Sequence, residues 1–218
     1  MHMQRRGFVR SLAATLVFSA ASLAFSAGAV AQSVGKDYTL IEPAQPTDTP
    51  AKIEVLEFFS YGCPHCNEFS GLVSAWAAKL PGDVVFKKVP VSFKRPAWAN
   101  VGRLYYALEV TGDVNRLDAE VFKAIHNDRV SLFDERTMKE WVAKKGVDPK
   151  KFDDAFASFG VMSKMKRAEA MTDAYKIQGV PAITIDGKYL VGGKDFNDTL
   201  AIADKLIAKA RAEKAGRK

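Results

Sequence analysis

From Lys52 to Phe59 the chain reads K-I-E-V-L-E-F-F, with β-branched, leucine and aromatic residues on both alternations. A strand solvated on one face would carry polar residues at every second position, so this pattern predicts a central strand covered on both sides. From Asn67 the period changes: Phe69, Leu72, Val73, Trp76 and Leu80 recur at helical spacing until Pro81-Gly82 stops the run. Val84 to Phe93 restores a strand pattern. The stretch from about Ala97 to Ala174 then carries helical periodicity throughout. Val101, Leu104, Tyr105 and Leu108 mark its start, Leu132, Met138, Trp141 and Val142 its middle, and Phe152, Ala155, Phe156 and Phe159 its end, with breaks at Gly112, near Asn127 and at Gly146 to Pro149. Strand signals return at Ala182 to Ile185, and Asp186-Gly187 is a two-residue hairpin turn into Lys188 to Val191. Asn197 or Asp198 is placed to cap a last helix with Leu200, Ala203, Leu206 and Ile207 on one face.

A strand-helix-strand unit and a later strand-strand-helix unit, split by a helical insertion, predict an α/β sheet with helices on both faces. Ahead of the first strand, Gln32 to Thr49 holds Pro43 and Pro46 among polar residues and is expected to be an extended arm with little regular structure.

The N-terminus does not belong to that fold. Residues 1–31 place Arg5, Arg6 and Arg10 before an apolar run from Leu12 to Phe25, and Ala29-Val30-Ala31 supplies a small-x-small cleavage pattern. This is the pattern of an export signal cut after about Ala31, too short and too rich in alanine and serine for a retained membrane span. Arg5-Arg6 also fits a twin-arginine route, although any basic signal can contain the pair. Losing three arginines and no acids takes the formal net charge from +7 to +4. That mild excess, with no basic face interleaved with aromatics, does not point to nucleic acid.

Cys63 and Cys66 are the only cysteines in 218 residues, and they sit three positions apart at the junction of the first strand and the first helix. A disulfide closing so short a loop constrains the unfolded chain little, so the pair asks for a chemical explanation. Pro64 suits the first helical turn, which makes Cys63 the N-cap and puts Cys66 one turn inside. A Cys63 thiolate there faces unpaired backbone N–H groups and the positive end of the helix, and both favour the anion. A disulfide whose cleavage releases a favoured anion is readily given up, which predicts a dithiol oxidant; a reductant needs a less stabilised thiolate.

His65, as a partly cationic imidazole or as a donor to the Cys63 sulfur, is a candidate for lowering that pKa further. Glu57 shares its strand parity with Ile53, Val55 and Phe59 and so points into an apolar face, where a carboxylate is costly unless protonated or paired. It is a candidate acceptor for the Cys66 proton, or an acid at a sheet margin paired with a lysine such as Lys88. Zinc would need two more ligands, yet outside the motif the mature chain offers no cysteine and only His126; haem attachment would need histidine where Asn67 stands. No metal or cofactor is expected.

The string Glu57 to Cys66, E-F-F-S-Y-G-C-P-H-C, resembles the bacterial DsbA family of exported thiol:disulfide oxidoreductases. Gly179-Val180-Pro181-Ala182 is similar to the loop whose cis-proline faces the active-site disulfide in thioredoxin-fold proteins; on the residues alone Pro181 is a pre-strand proline, for which trans is the default. The likeness spans essentially residues 36 to 210. It implies a thioredoxin-like fold with an inserted all-helical domain: a first thioredoxin-like part over 32–96, the helical domain over 97–174 and a second thioredoxin-like part over 175–218. It further implies that Cys63 is the attacked sulfur, Cys66 its buried partner, Pro64 and His65 the tuning dipeptide and Glu57 the buried acid. Val180 and Pro181 would bind an extended substrate segment in a short β-augmentation. One departure is visible: where some relatives carry acids after the turn of the second cysteine, this chain has Ser70-Gly71.

The expected function is thus that of a periplasmic enzyme that donates its Cys63–Cys66 disulfide to reduced exported polypeptides and is reoxidised by a DsbB-like inner-membrane quinone reductase. A disulfide isomerase or reductase of the same fold is the nearest alternative. Gln32 to Pro50 is too short for the dimerisation domain such proteins carry, and a monomer is expected. A non-catalytic peptide-binding holdase, with incidental cysteines, is the alternative from a different class.

Overall fold

A computed structural model describes residues 33–216, so the export signal expected over 1–31 lies outside the described residues. Strand β1 (Tyr38–Leu40) is followed by β2 (Ile53–Phe59), which is buried along its whole length. β2 is an interior strand: β3 (Val84–Pro90) runs parallel on one side and β4 (Ala182–Ile185) antiparallel on the other. Strand β5 (Tyr189–Val191) pairs with β4, and β1 pairs with β5, giving the order β1-β5-β4-β2-β3. Register sets Glu57 opposite Lys88 on β3 and Ile183 on β4.

Helix α1 (Pro64–Ala77) makes the crossover from β2 to β3. Five helices lie between β3 and β4 in the chain: α2 (Pro96–Thr111), α3 (Val114–His126), α4 (Glu135–Lys144), α5 (Pro149–Ala157) and α6 (Phe159–Ala174). The last element is α7 (Phe196–Ala215). Two apolar clusters cover the sheet. Ile53, Val55, Ile183 and Ile185 pack with Phe69 and Val73 of α1 and with Ala203, Leu206 and Ile207 of α7. Leu56 and Phe58 pack into the larger cluster, with Leu104 and Leu108 of α2, Val121 and Phe122 of α3 and Met165 of α6. The α/β class and the helices on both faces therefore follow from the alternation of apolar residues along β2.

Two details differ from the sequence reading. The N-terminal arm is not wholly irregular, since Tyr38 to Leu40 add an edge strand; three residues are too short a pattern to register as one. The cap of α7 is Asp195, whose side chain accepts from the Asp198 N–H at 2.8 Å, rather than Asn197 or Asp198. The hairpin turn has the expected geometry. Asp186 and Gly187 both have positive φ, 54° and 67°, the conformation of a primed turn whose twist matches the flanking strands. Asp186 is also held from outside, by Lys214 Nζ at 2.6 Å.

Candidate active site

Residues 60–63 make a tight turn between β2 and α1, with the Cys63 N–H donating to the Ser60 carbonyl at 3.1 Å. Cys63 has extended backbone angles and is the N-cap of α1, Pro64 occupies the first turn, and the Cys63 carbonyl accepts from the Asn67 N–H. No side chain caps this helix end. The sulfur of Cys63 thus stands at the helix mouth, where backbone N–H groups await an acceptor. Cys63 is 6% exposed and Cys66 fully buried, and both are free thiols in this structure.

The two sulfurs differ sharply. The Cys63 pKa is lowered to about 6, chiefly by the hydrogen bond it receives from the Cys66 thiol; burial opposes the shift, while the backbone N–H groups of Cys66 and His65 and the His65 charge add to it. Cys66 is pushed far upward, first because its proton is held by Cys63 and then because it is buried. At neutral pH the site therefore holds one thiolate, on Cys63, and one thiol.

Val180 and Pro181 are brought directly to this sulfur. The Val180–Pro181 peptide is cis, and Cys63 Sγ lies 3.4 Å from the Val180 carbonyl oxygen, close enough for the thiol to donate to it. His65, Phe69, Val180, Pro181, Lys194 and Phe196 line a groove of about 460 Å³ beside the cysteines. The His65 ring sits differently from the donor role considered for it. It is exposed, with Nδ1 3.2 Å from Glu68 Oε2.

Glu57 is fully buried, with its pKa raised to about 7 by burial; Lys88 opposes this and Asp118 adds to it. Lys88 Nζ is 3.8 Å from Glu57 Oε2, so the pairing with Lys88 exists, between the interior strand β2 and the edge strand β3. Burial disfavours the Lys88 charge, yet the carboxylates of Glu57 and Asp118 outweigh it and its pKa is raised.

The inserted helices supply contacts that motif reading missed. The Tyr61 hydroxyl donates to Asp118 Oδ1 at 2.6 Å. The Tyr61 carbonyl accepts from His126 Nε2 at 2.7 Å, which fixes a proton on that nitrogen because a carbonyl can only accept. Asp118 had a detectable signal. It stands on the same helical face as the buried Val121 and Phe122, where an acid needs a partner.

Gly62 shows how tightly α2 and the α3–α4 connection close on the turn: a Cβ there would come 2.8 Å from Trp98 Nε1 and 3.0 Å from Phe133 Cε1. Gly62→Ala is therefore expected to destabilise the protein by about 1–3 kcal/mol through overpacking, read as a lower denaturant midpoint. An unchanged midpoint would mean that Trp98 moves aside freely.

A buried, asymmetrically ionised cysteine pair on a strand-to-helix turn, faced by a cis-proline loop, defines a thiol:disulfide oxidoreductase of thioredoxin-like fold. The DSBA-like thioredoxin domain family matches residues 54–203. The thiol:disulfide interchange protein DsbA of Bordetella parapertussis is 41% identical, with 96% of this chain and 100% of that protein aligned. The protein of the same name from Azotobacter vinelandii is 38% identical over 92% of this chain and 95% of its own length. Among solved structures, Pseudomonas aeruginosa DsbA superposes with a TM-score of 0.80 at 36% identity, covering 86% of this chain and 97% of that one. The oxidoreductase DsbA of Xylella fastidiosa gives 0.79 at 34% identity, covering 83% and 98%. The chain belongs to the DsbA family.

Proposed function

We propose that this protein is a periplasmic disulfide donor. The observation that carries the proposal is the placement of Cys63 as the N-cap at the helix mouth, 3.4 Å from the Val180 carbonyl, where its pKa is lowered to about 6. In the donating direction a substrate thiolate attacks Cys63 Sγ of the Cys63–Cys66 disulfide, forming a mixed disulfide and releasing the Cys66 sulfur. Because the Cys66 pKa is far above its ordinary value, that sulfur must be protonated as it leaves, and Glu57, poised at about 7, is the buried acid at hand. A second substrate thiolate then attacks the substrate sulfur of the mixed disulfide. Cys63 departs as the thiolate it favours. Two electrons have passed from the substrate to the cysteine pair, and the substrate keeps the disulfide.

The groove beside Val180 and Pro181 suits an extended, reduced polypeptide, whose backbone can pair with Val180 while apolar side chains meet Phe69 and Phe196. Reoxidation by a DsbB-like membrane quinone reductase, action as a monomer and export under the signal at residues 1–31 complete the reading. Among the described residues no helix is long and apolar enough to cross a membrane. Mixing the oxidised protein with a reduced, unfolded test protein should move one disulfide per molecule into that protein. Suppression of its aggregation without any transfer, unaffected by reductant, would favour the holdase instead.

A further inference from the structure

Lys88 Nζ has two carboxylates within reach, and distance ranks them: Asp118 Oδ2 at 2.8 Å and Glu57 Oε2 at 3.8 Å. Asp118 is fixed in that position from its other side, since its Oδ1 accepts from the Tyr61 hydroxyl. Both Glu57 oxygens are buried and without a hydrogen-bond partner among the described residues. One ammonium thus serves two acids, and the acid on α3 holds it. We propose that Asp118 is a positioning residue of the redox site, holding the Lys88 ammonium off Glu57 and so keeping Glu57 able to exchange a proton with Cys66.

This inference rests on the reading of Glu57 as the proton partner of Cys66, and it assigns the residue that sets that partner's state. The titratable groups acting on Glu57 are Lys88 of β3, Asp118 of α3, Tyr105 of α2, Tyr61 of the turn and Cys66 of α1. Lys88 is the one cation among them. With its charge committed to Asp118, the cost of ionising a carboxyl buried in the sheet is not offset by a close hydrogen-bonded partner. Removing the Asp118 charge frees Lys88 to close the remaining distance onto Glu57, and a hydrogen-bonded lysine favours the carboxylate. Glu57 would then be protonated in a smaller fraction of molecules at neutral pH and would less often have a proton to deliver. The step itself is a net proton transfer relayed through water, since neither Glu57 oxygen hydrogen-bonds the sulfur: the Glu57 carboxyl gives a proton that reaches Cys66 Sγ as the Cys63–Cys66 bond breaks, and receives one back when the bond re-forms.

The test compares Asp118→Asn, Tyr61→Phe and Glu57→Gln in the purified protein, with two readouts. One is the titration of the Glu57 carboxyl by carbon NMR in the reduced form. The other is the pH profile of the reaction between the oxidised form and a small-molecule thiol. In Asp118→Asn the Glu57 midpoint should fall by about one pH unit or more. Because the proton-donating form is lost as pH rises through that midpoint, the corresponding limb of the rate profile should move to lower pH by the same amount. Tyr61→Phe keeps both charges and should leave the midpoint near that of the parent protein. An unmoved midpoint in Asp118→Asn, or an equal shift in Tyr61→Phe, overturns the assignment of Asp118, the second because loop packing rather than charge would then be responsible. If Glu57→Gln removes the limb while Asp118→Asn leaves it in place, Asp118 is excluded and Glu57 stands. A limb that persists in Glu57→Gln overturns the reading of Glu57 itself.

Discussion

Replacing Cys63 with alanine should reduce disulfide transfer to the rate seen with no protein present, whereas replacing Cys66 should leave a protein that reacts once and stops. The difference follows from the unequal burial and charge of the two sulfurs. Cys63 holds the thiolate at the helix mouth and faces Val180, so it alone can be joined to a substrate. Cys66 is fully buried, and in the proposed cycle its part is to close and reopen the internal bond. In Cys66→Ala the remaining thiol can still enter a mixed disulfide with an oxidised polypeptide, but nothing nearby can displace it. Covalent complexes should accumulate and be visible on non-reducing gels. The same substitution removes the largest cause of the low Cys63 pKa, the hydrogen bond from Cys66, so that pKa should rise from about 6 toward the ordinary thiol range. Retained transfer by Cys63→Ala, or an unmoved Cys63 pKa in Cys66→Ala, would show that the roles are assigned wrongly.

The second large effect is on stability. Reducing the disulfide should stabilise the fold increasingly as pH rises. The Cys63 pKa lies at about 6 in the folded dithiol against a reference of 9.0. A group whose folded pKa is depressed contributes stability that is fully present above the unfolded value and is lost as pH falls through the folded value. Between about pH 5 and pH 9 the reduced protein should therefore gain on the order of 4 kcal/mol relative to the oxidised one, which carries no ionisable thiol. Opposing this, the disulfide limits the unfolded chain, but a loop of this length contributes only about 2 kcal/mol. The reduced form should thus become the more stable of the two on the alkaline side. Paired denaturant titrations across that range measure the gap. A gap independent of pH would mean that the thiolate has no special stabilisation in the fold.

Much of this architecture is legible in the amino-acid pattern. The two-sided pattern of β2, the change to helical period after the cysteines and the Asp186-Gly187 turn are local signals, and local signals were enough to order the elements. Cys63, Pro64 and Cys66 were legible for the same reason, since their roles depend on the first turn of one helix. Contacts across long sequence separations were not. Val180 reaches Cys63 across more than a hundred residues, and the residues alone gave Pro181 no reason to leave the trans state; the likeness to a known family supplied that expectation. Asp118, His126 and Trp98 converge on the turn from helices whose periodicity shows which face is buried but not what it is buried against, and Phe133 reaches it from the connection between α3 and α4. Glu57 lies between these cases. Its parity announced an acid in an apolar face, but choosing between proton exchange and an ion pair needed the two Lys88 distances, which describe a shared lysine bound more closely elsewhere.

The most direct test is the reduction potential of the cysteine pair as a function of pH. Reduction to two thiols takes up two protons and changes the potential by about 59 mV per pH unit, whereas reduction to one thiol and one thiolate takes up one proton and halves that slope. With Cys63 ionising at about 6 and Cys66 far above neutrality, the slope should break near pH 6 and remain at the one-proton value through the neutral range. A two-proton slope continuing to about pH 8 would show both sulfurs protonated on release and contradict the account.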